Sequence, residues 1–128
     1  MYRVVISPSA DADLFGIIKY IALELENPQA ATVFADGVEK CYADLETFPS
    51  SHSFCDDPLL RFKGYRKYPV GNYLVIFRVL EEQSEVRVVH IFHATQNYIE
   101  IQEVLAKLSD DGATQVGFAL RPGQVQDK

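Results

Sequence analysis

GYRKYPVGNYLVIFRVLEEQSEVRVVHIFHATQNY, residues 64–98, decides the fold. It reads as three consecutive β-strands. Tyr65–Val70 is the first, and Pro69 puts it at or near a sheet edge, because proline has no N–H to give to a ladder. Gly71-Asn72 suits a two-residue hairpin turn. The next strand, Tyr73–Leu80, is mainly apolar on both faces. Tyr73, Val75, Phe77 and Val79 line one face; Leu74, Ile76, Arg78 and Leu80 line the other. Residues 81–85 turn the chain into a third strand, 86–93, again apolar on both faces apart from Arg87, His90 and His93. Such strands belong in the middle of a sheet with something covering each face.

The covering elements precede them. Residues 2–6 form a short β-branched strand. Ser7-Pro8 then supplies a helix cap and a proline for the first helical position. Leu14, Ile17, Ile18, Ile21, Ala22 and Leu25 recur at helical spacing, with Asp11 and Asp13 near the positive end of the dipole. Asn27-Pro28 stops this helix and starts another, whose stripe is Ala31, Phe34, Val38, Cys41, Leu45 and Phe48. So short a connection makes the pair an antiparallel hairpin. Residues 50–60 read as a loop. The hairpin can cover one face of the sheet; the other awaits a partner, a tail or a second copy. Ile101, Val104, Leu105 and Leu108 predict a short C-terminal helix. The expected architecture is α+β: an N-terminal strand, a helical hairpin on a small, mainly antiparallel sheet, and that last helix. One domain spans residues 1–108, and 109–128 form a tail that either frays or adds a strand.

Composition bounds the function. A chain of 128 residues with 48% hydrophobic content suits one packed core. No apolar run nears the roughly 20 residues of a membrane span, and the N-terminus turns polar too soon for a signal peptide. The chain reads as cytoplasmic, a setting that keeps Cys41 and Cys55 reduced. Scattered His and Cys lack metal-ligand spacing, so neither a metal nor a cofactor is expected. The net charge of −6 conceals a polarised chain. Acidic residues dominate from 8 to 57, whereas Arg61, Lys63, Arg66, Lys67 and Arg78 fall in a stretch without a carboxylate. That stretch could attract phosphate or an acidic protein.

With SPSADADL opening the first helix, AA..F the second, and GYR, VGNYLVIFRV and VVHIFHATQN following in order, the chain resembles the RelE/ParE superfamily across roughly residues 2–108. The resemblance implies the toxin of a type II toxin–antitoxin module, neutralised by a cognate antitoxin. RelE-like members are ribosome-dependent mRNA endonucleases; ParE-like members inhibit DNA gyrase. Metal-free RNA cleavage needs a base, an acid and cations for the phosphorane-like transition state. On the RelE plan the candidates are Arg66, Lys67, Arg78, His93 and Tyr98. Leu74 and Thr95, however, stand where that plan has arginines. GNYLVIFRV is more similar to the ParE branch, although Ala94 and Asn97 replace the Gly and Asp of its H-G-x-x-D ending. The resemblance therefore implies a ParE-like toxin that binds its target, with an RNase or a non-toxic binding scaffold as alternatives. Arg61, Lys63, Arg66 and Lys67 are the expected target contacts. Leu74, Ile76, Val89 and Ile91 are the expected antitoxin contacts. His90 is expected to be structural, and His93 to anchor the loop that follows it.

Overall fold

A computed structural model describes residues 1–95 and the backbone of 119–120. Strand β1 (Arg3–Ile6) leads into α1 (Pro8–Lys19), which continues as a π-helical turn, Tyr20–Glu24. After α2 (Pro28–Leu45) and a short 3-10 turn, Pro49–Ser51, comes a small helix, α3 (Pro58–Phe62). Strands β2 (Tyr65–Val70), β3 (Tyr73–Leu80) and β4 (Glu85–His93) follow, then a two-residue β5 (Ala119–Leu120). The sheet order is β2-β3-β4-β1-β5, with β1 parallel to β4 and the other pairs antiparallel. The expected C-terminal helix and Tyr98 lie outside the described residues.

The caps work as the sequence implies. Ser7 Oγ accepts Ala10 N–H at 3.0 Å, and Asn27 Oδ1 accepts Ala30 N–H at 3.1 Å. The hairpin packs on one sheet face through Phe34, Val38, Cys41, Leu45, Val75 and Phe77. Gly37 lets α2 approach closely: a Cβ there would sit 2.7 Å from Val70 Cγ1. Pro69 occupies the edge strand, on the side where Tyr65 and Lys67 turn their backbone groups away from β3.

Three expectations need correction. Residues 50–60 are not simply a loop, and the second sheet face is not left open for a partner. Asp57 caps the one-turn α3 by accepting Leu59 and Leu60 N–H, and Pro58 takes its first position. Residues 53–55 run beside β2, with Cys55 N–H to Tyr65 O at 2.9 Å and Lys67 N–H to Ser53 O at 3.0 Å. This segment buries Cys55 and Leu60 with Tyr65, Ile76, Val89 and Phe92 in a second core.

A third correction concerns Val89 and Ile91. Strict alternation would put them on one face. A β-bulge intervenes, for Ile76 pairs with His90 but Phe77 pairs with Val88, leaving Val89 as the extra residue. Beyond it the faces exchange, so Ile91 joins Val86 and Val88 under the hairpin while Val89 and Phe92 enter the second core. Ile76, Val89 and Ile91 are thus buried within the chain itself, and only Leu74 of the expected antitoxin contacts keeps partial exposure.

Candidate functional site

β1 stops at Ile6 while β4 runs on to His93. The start of α1 takes over the ladder. Ser7 N–H donates to Val88 O at 2.9 Å, and its hydroxyl donates to Val89 O at 2.8 Å. In the second turn of α1, Asp13 Oδ2 accepts Ile91 N–H at 3.0 Å and lies 2.7 Å from His90 Nδ1. Facing a carboxylate, His90 Nδ1 carries a proton and donates it to Asp13. Its Nε2 is buried without a hydrogen-bond partner among the described residues.

Past this anchor, α1 and the sheet part to leave a cleft of ≈340 Å³. Asp13, Gly16 and Tyr20 line one wall; Tyr73, Ile91 and His93 line the other. Burial, followed by the nearby Tyr20, pushes the Tyr73 hydroxyl pKa upward. The Tyr73 ring meets Phe34 at 5.0 Å and stands edge-on to His93 at 5.2 Å. His93 Nδ1 accepts Thr95 N–H at 3.2 Å and lies 2.8 Å from Thr95 Oγ1, so His93 secures the turn after β4.

A second hollow, ≈390 Å³, continues over the outer side of α1 between Phe15, Gly16, Tyr20 and Leu23. Phe15 is 68% exposed and Leu23 66%. Gly16 lines both hollows, and a Cβ there would meet nothing within 4 Å. An exposed glycine inside a helix costs about 1 kcal/mol relative to alanine. No packing within the chain requires it, but the close approach of another molecule would. Sequence reading passed over Gly16 because it broke no periodicity; its signal was a glycine in mid-helix beside an apolar residue off the buried stripe.

The basic segment lies elsewhere. Arg66 donates to His52 O at 2.6 Å and Ser50 O at 3.2 Å, with its guanidinium 3.8 Å from the Phe54 ring centroid. Lys67 Nζ sits 3.0 Å from Asp56 Oδ2. Arg61 reaches Cys55 O at 3.3 Å. Arg78 lies over the Tyr65 ring at 5.5 Å.

The family model described as ParE toxin of type II toxin-antitoxin system, parDE, matches residues 4–98. The chain belongs to the ParE toxin family. Similar solved structures are a chromosomal ParDE toxin–antitoxin system from P. aeruginosa and the toxin–antitoxin complex RelBE2 from Mycobacterium tuberculosis. The first matches with TM-score 0.57 and 19% identity over 73% of this chain and 96% of that one. The second matches with TM-score 0.52 and 22% identity over 72% and 96%. No curated protein matches in sequence.

In this ParE-type toxin the residues expected of a nuclease do not converge. Lys67 and Arg78 lie on the face that carries the second core; Arg66 and His93 lie on the hairpin face. Arg78 pairs with Tyr65 and Arg87, whereas His93 pairs with Tyr73, five residues away along β3. At roughly 3.4 Å per residue that is about 17 Å. A base and a cation so far apart cannot serve one phosphodiester. Tyr98, the candidate acid, lies outside the described residues. Among the described residues no group of His, Cys, Asp and Glu could hold a metal ion, and no helix is long and apolar enough to cross a membrane.

Proposed function

We propose that this ParE-type toxin acts in the cytoplasm by binding a macromolecular target, DNA gyrase being the candidate, and that a cognate antitoxin silences it by occupying the α1 cleft. The observation that carries the antitoxin half is the joined pair of hollows over Gly16, with exposed Phe15 and Leu23 and with Asp13, Lys19 and Glu24 in the lining. A partner helix with an apolar stripe and flanking charges fits that surface. The binding half is supported by Leu74 in place of a cation and by the separation of His93 from Arg78.

Induced expression of the toxin alone tests the reading, with growth, gyrase supercoiling and primer extension on cellular mRNA followed together. Growth arrest with lost supercoiling and no codon-linked cuts is expected. Ribosome-dependent cuts that disappear in Lys67→Ala or His93→Ala would instead establish the nuclease alternative. Gly16→Leu fills the junction of the two hollows. It should weaken antitoxin binding at least tenfold while sparing toxicity; unchanged affinity would move the antitoxin elsewhere.

A further inference from the structure

α3 is one helical turn held firmly in place. Leu60 is buried in the second core, and Asp57 closes the N-terminal end by accepting Leu59 and Leu60 N–H at 2.9 and 3.1 Å. Leu59 and Phe62, three residues apart, share the side turned away from Leu60, and half-buried Lys63 caps the turn beside them. Phe62 is 86% exposed and Leu59 40%. A lone exposed apolar residue is ordinary. This one sits on a fixed turn between Arg61 and Lys63, in a stretch without a carboxylate from 61 to 80, within a chain of net charge −6.

We infer that Leu59, Phe62, Arg61 and Lys63 form the contact for a protein target, specifically an apolar pocket with a carboxylate rim. The inference rests on the toxin reading above and names the target side of it. Charge decides between protein and nucleic acid. Arg66 is committed to the His52 and Ser50 carbonyls and Lys67 to Asp56; Arg61 gives its Nε–H to Cys55 O at 3.3 Å but stays exposed, so it and Lys63 are the cations beside Phe62. Two phosphate contacts on a protein of net charge −6 give little hold on a polyanion. A benzyl group entering an apolar pocket, with cations meeting acids around it, is how a small protein surface gains affinity. α3 precedes Tyr65, at the opposite end of β2 from Val70 and the Tyr73 wall of the cleft. Target and antitoxin can therefore be uncoupled by mutation.

The test compares wild type, Phe62→Ser, and Arg61→Glu/Lys63→Glu in the full chain. Readouts are the inducer dose for growth arrest, melting temperature, affinity for the product of the adjacent antitoxin reading frame, and binding to a single-stranded RNA probe. Both variants should need at least about tenfold more toxin for arrest, with melting temperature and antitoxin affinity unchanged. Wild-type potency in both variants overturns this inference alone. Absence of arrest by the wild type overturns the toxin reading and this inference together. Tight RNA binding that the variants lose reassigns the surface to nucleic acid and likewise overturns it.

Discussion

Arg66→Ala should unfold the protein more readily, which changes how any loss of toxicity in that variant is read. The Arg66 guanidinium donates to His52 O at 2.6 Å, in a partly buried setting, and to the more exposed Ser50 O at 3.2 Å. A charge-assisted bond like the first contributes about 1.5 kcal/mol, and the exposed one about 0.5 kcal/mol. Stacking 3.8 Å over the Phe54 ring adds about 0.5–1 kcal/mol. Together they give roughly 2–3 kcal/mol, or about 8–12 °C in melting temperature for a chain of this size. Lys67→Ala removes one ion pair, to an Asp56 side chain that is 76% exposed, and should cost only about 0–1 kcal/mol. Urea unfolding with thermal melts measures both. Arg66→Lys is the control: it keeps the charge but loses the two-carbonyl fork, so it should fall between wild type and alanine. An Arg66→Ala protein melting within 2 °C of wild type would refute the clamp and return Arg66 to the target-contact set.

Further outcomes follow from the packing. Glu85 is buried, which raises its pKa, but hydrogen bonds and charges from Arg87 and Arg3 outweigh this and leave it below 4.5. A depressed carboxylate stabilises the fold above its unfolded pKa and loses that contribution as pH falls through the folded value. The wild type should therefore lose stability below about pH 4.5, and Glu85→Gln should be less stable at pH 7 with a shallower acid limb in pH-dependent melts. Gly37→Ala gains about 1 kcal/mol of helix propensity but forces its Cβ against the stiff Val70 side chain at 2.7 Å. Overpacking costs about 1–3 kcal/mol, so a net loss near 1 kcal/mol is expected by urea titration, and a more stable variant would refute the contact. Leu74→Asp puts a charge beside the second core and should destabilise the fold by about 1–3 kcal/mol, visible as a lower urea midpoint.

Much of the fold was legible because local and global signals agreed. Ser7-Pro8 and Asn27-Pro28 cap helices as read, Gly71-Asn72 turns the hairpin, and the alternation along β3 divides it between two cores. α3 went unread although Asp57-Pro58 repeats the same cap-and-proline pattern. One turn is too short to display a 3.6-residue period, so only the cap announced it. The bulge at Val89 was not legible, because both phases of β4 are apolar and hydrophobicity cannot reveal where they exchange. The site was less readable than the fold for a related reason. Arg66 and Lys67 read as available charges, and their engagement with residues 50–56 depends on contacts between segments that spacing does not encode.

The cleft itself arises from a mismatch in strand length. β1 has 4 residues and β4 has 9, so the far end of β4 must find partners beyond Ile6. Buried backbone groups left unpaired would cost about 1–3 kcal/mol each. Ser7 and Asp13 supply them from α1, which fixes the helix against β4 over its first two turns. Beyond this anchor the helix widens into the π turn at Tyr20. The opening is therefore set by where the hydrogen-bonded anchor ends. Breaking the anchor should disturb the cleft before the core. Asp13→Asn weakens the bond to Ile91 N–H and alters the pairing with His90, yet leaves every apolar contact in place. It should lower antitoxin affinity by more than its effect on stability accounts for. Equal losses in the two would mean that the anchor only holds the fold together.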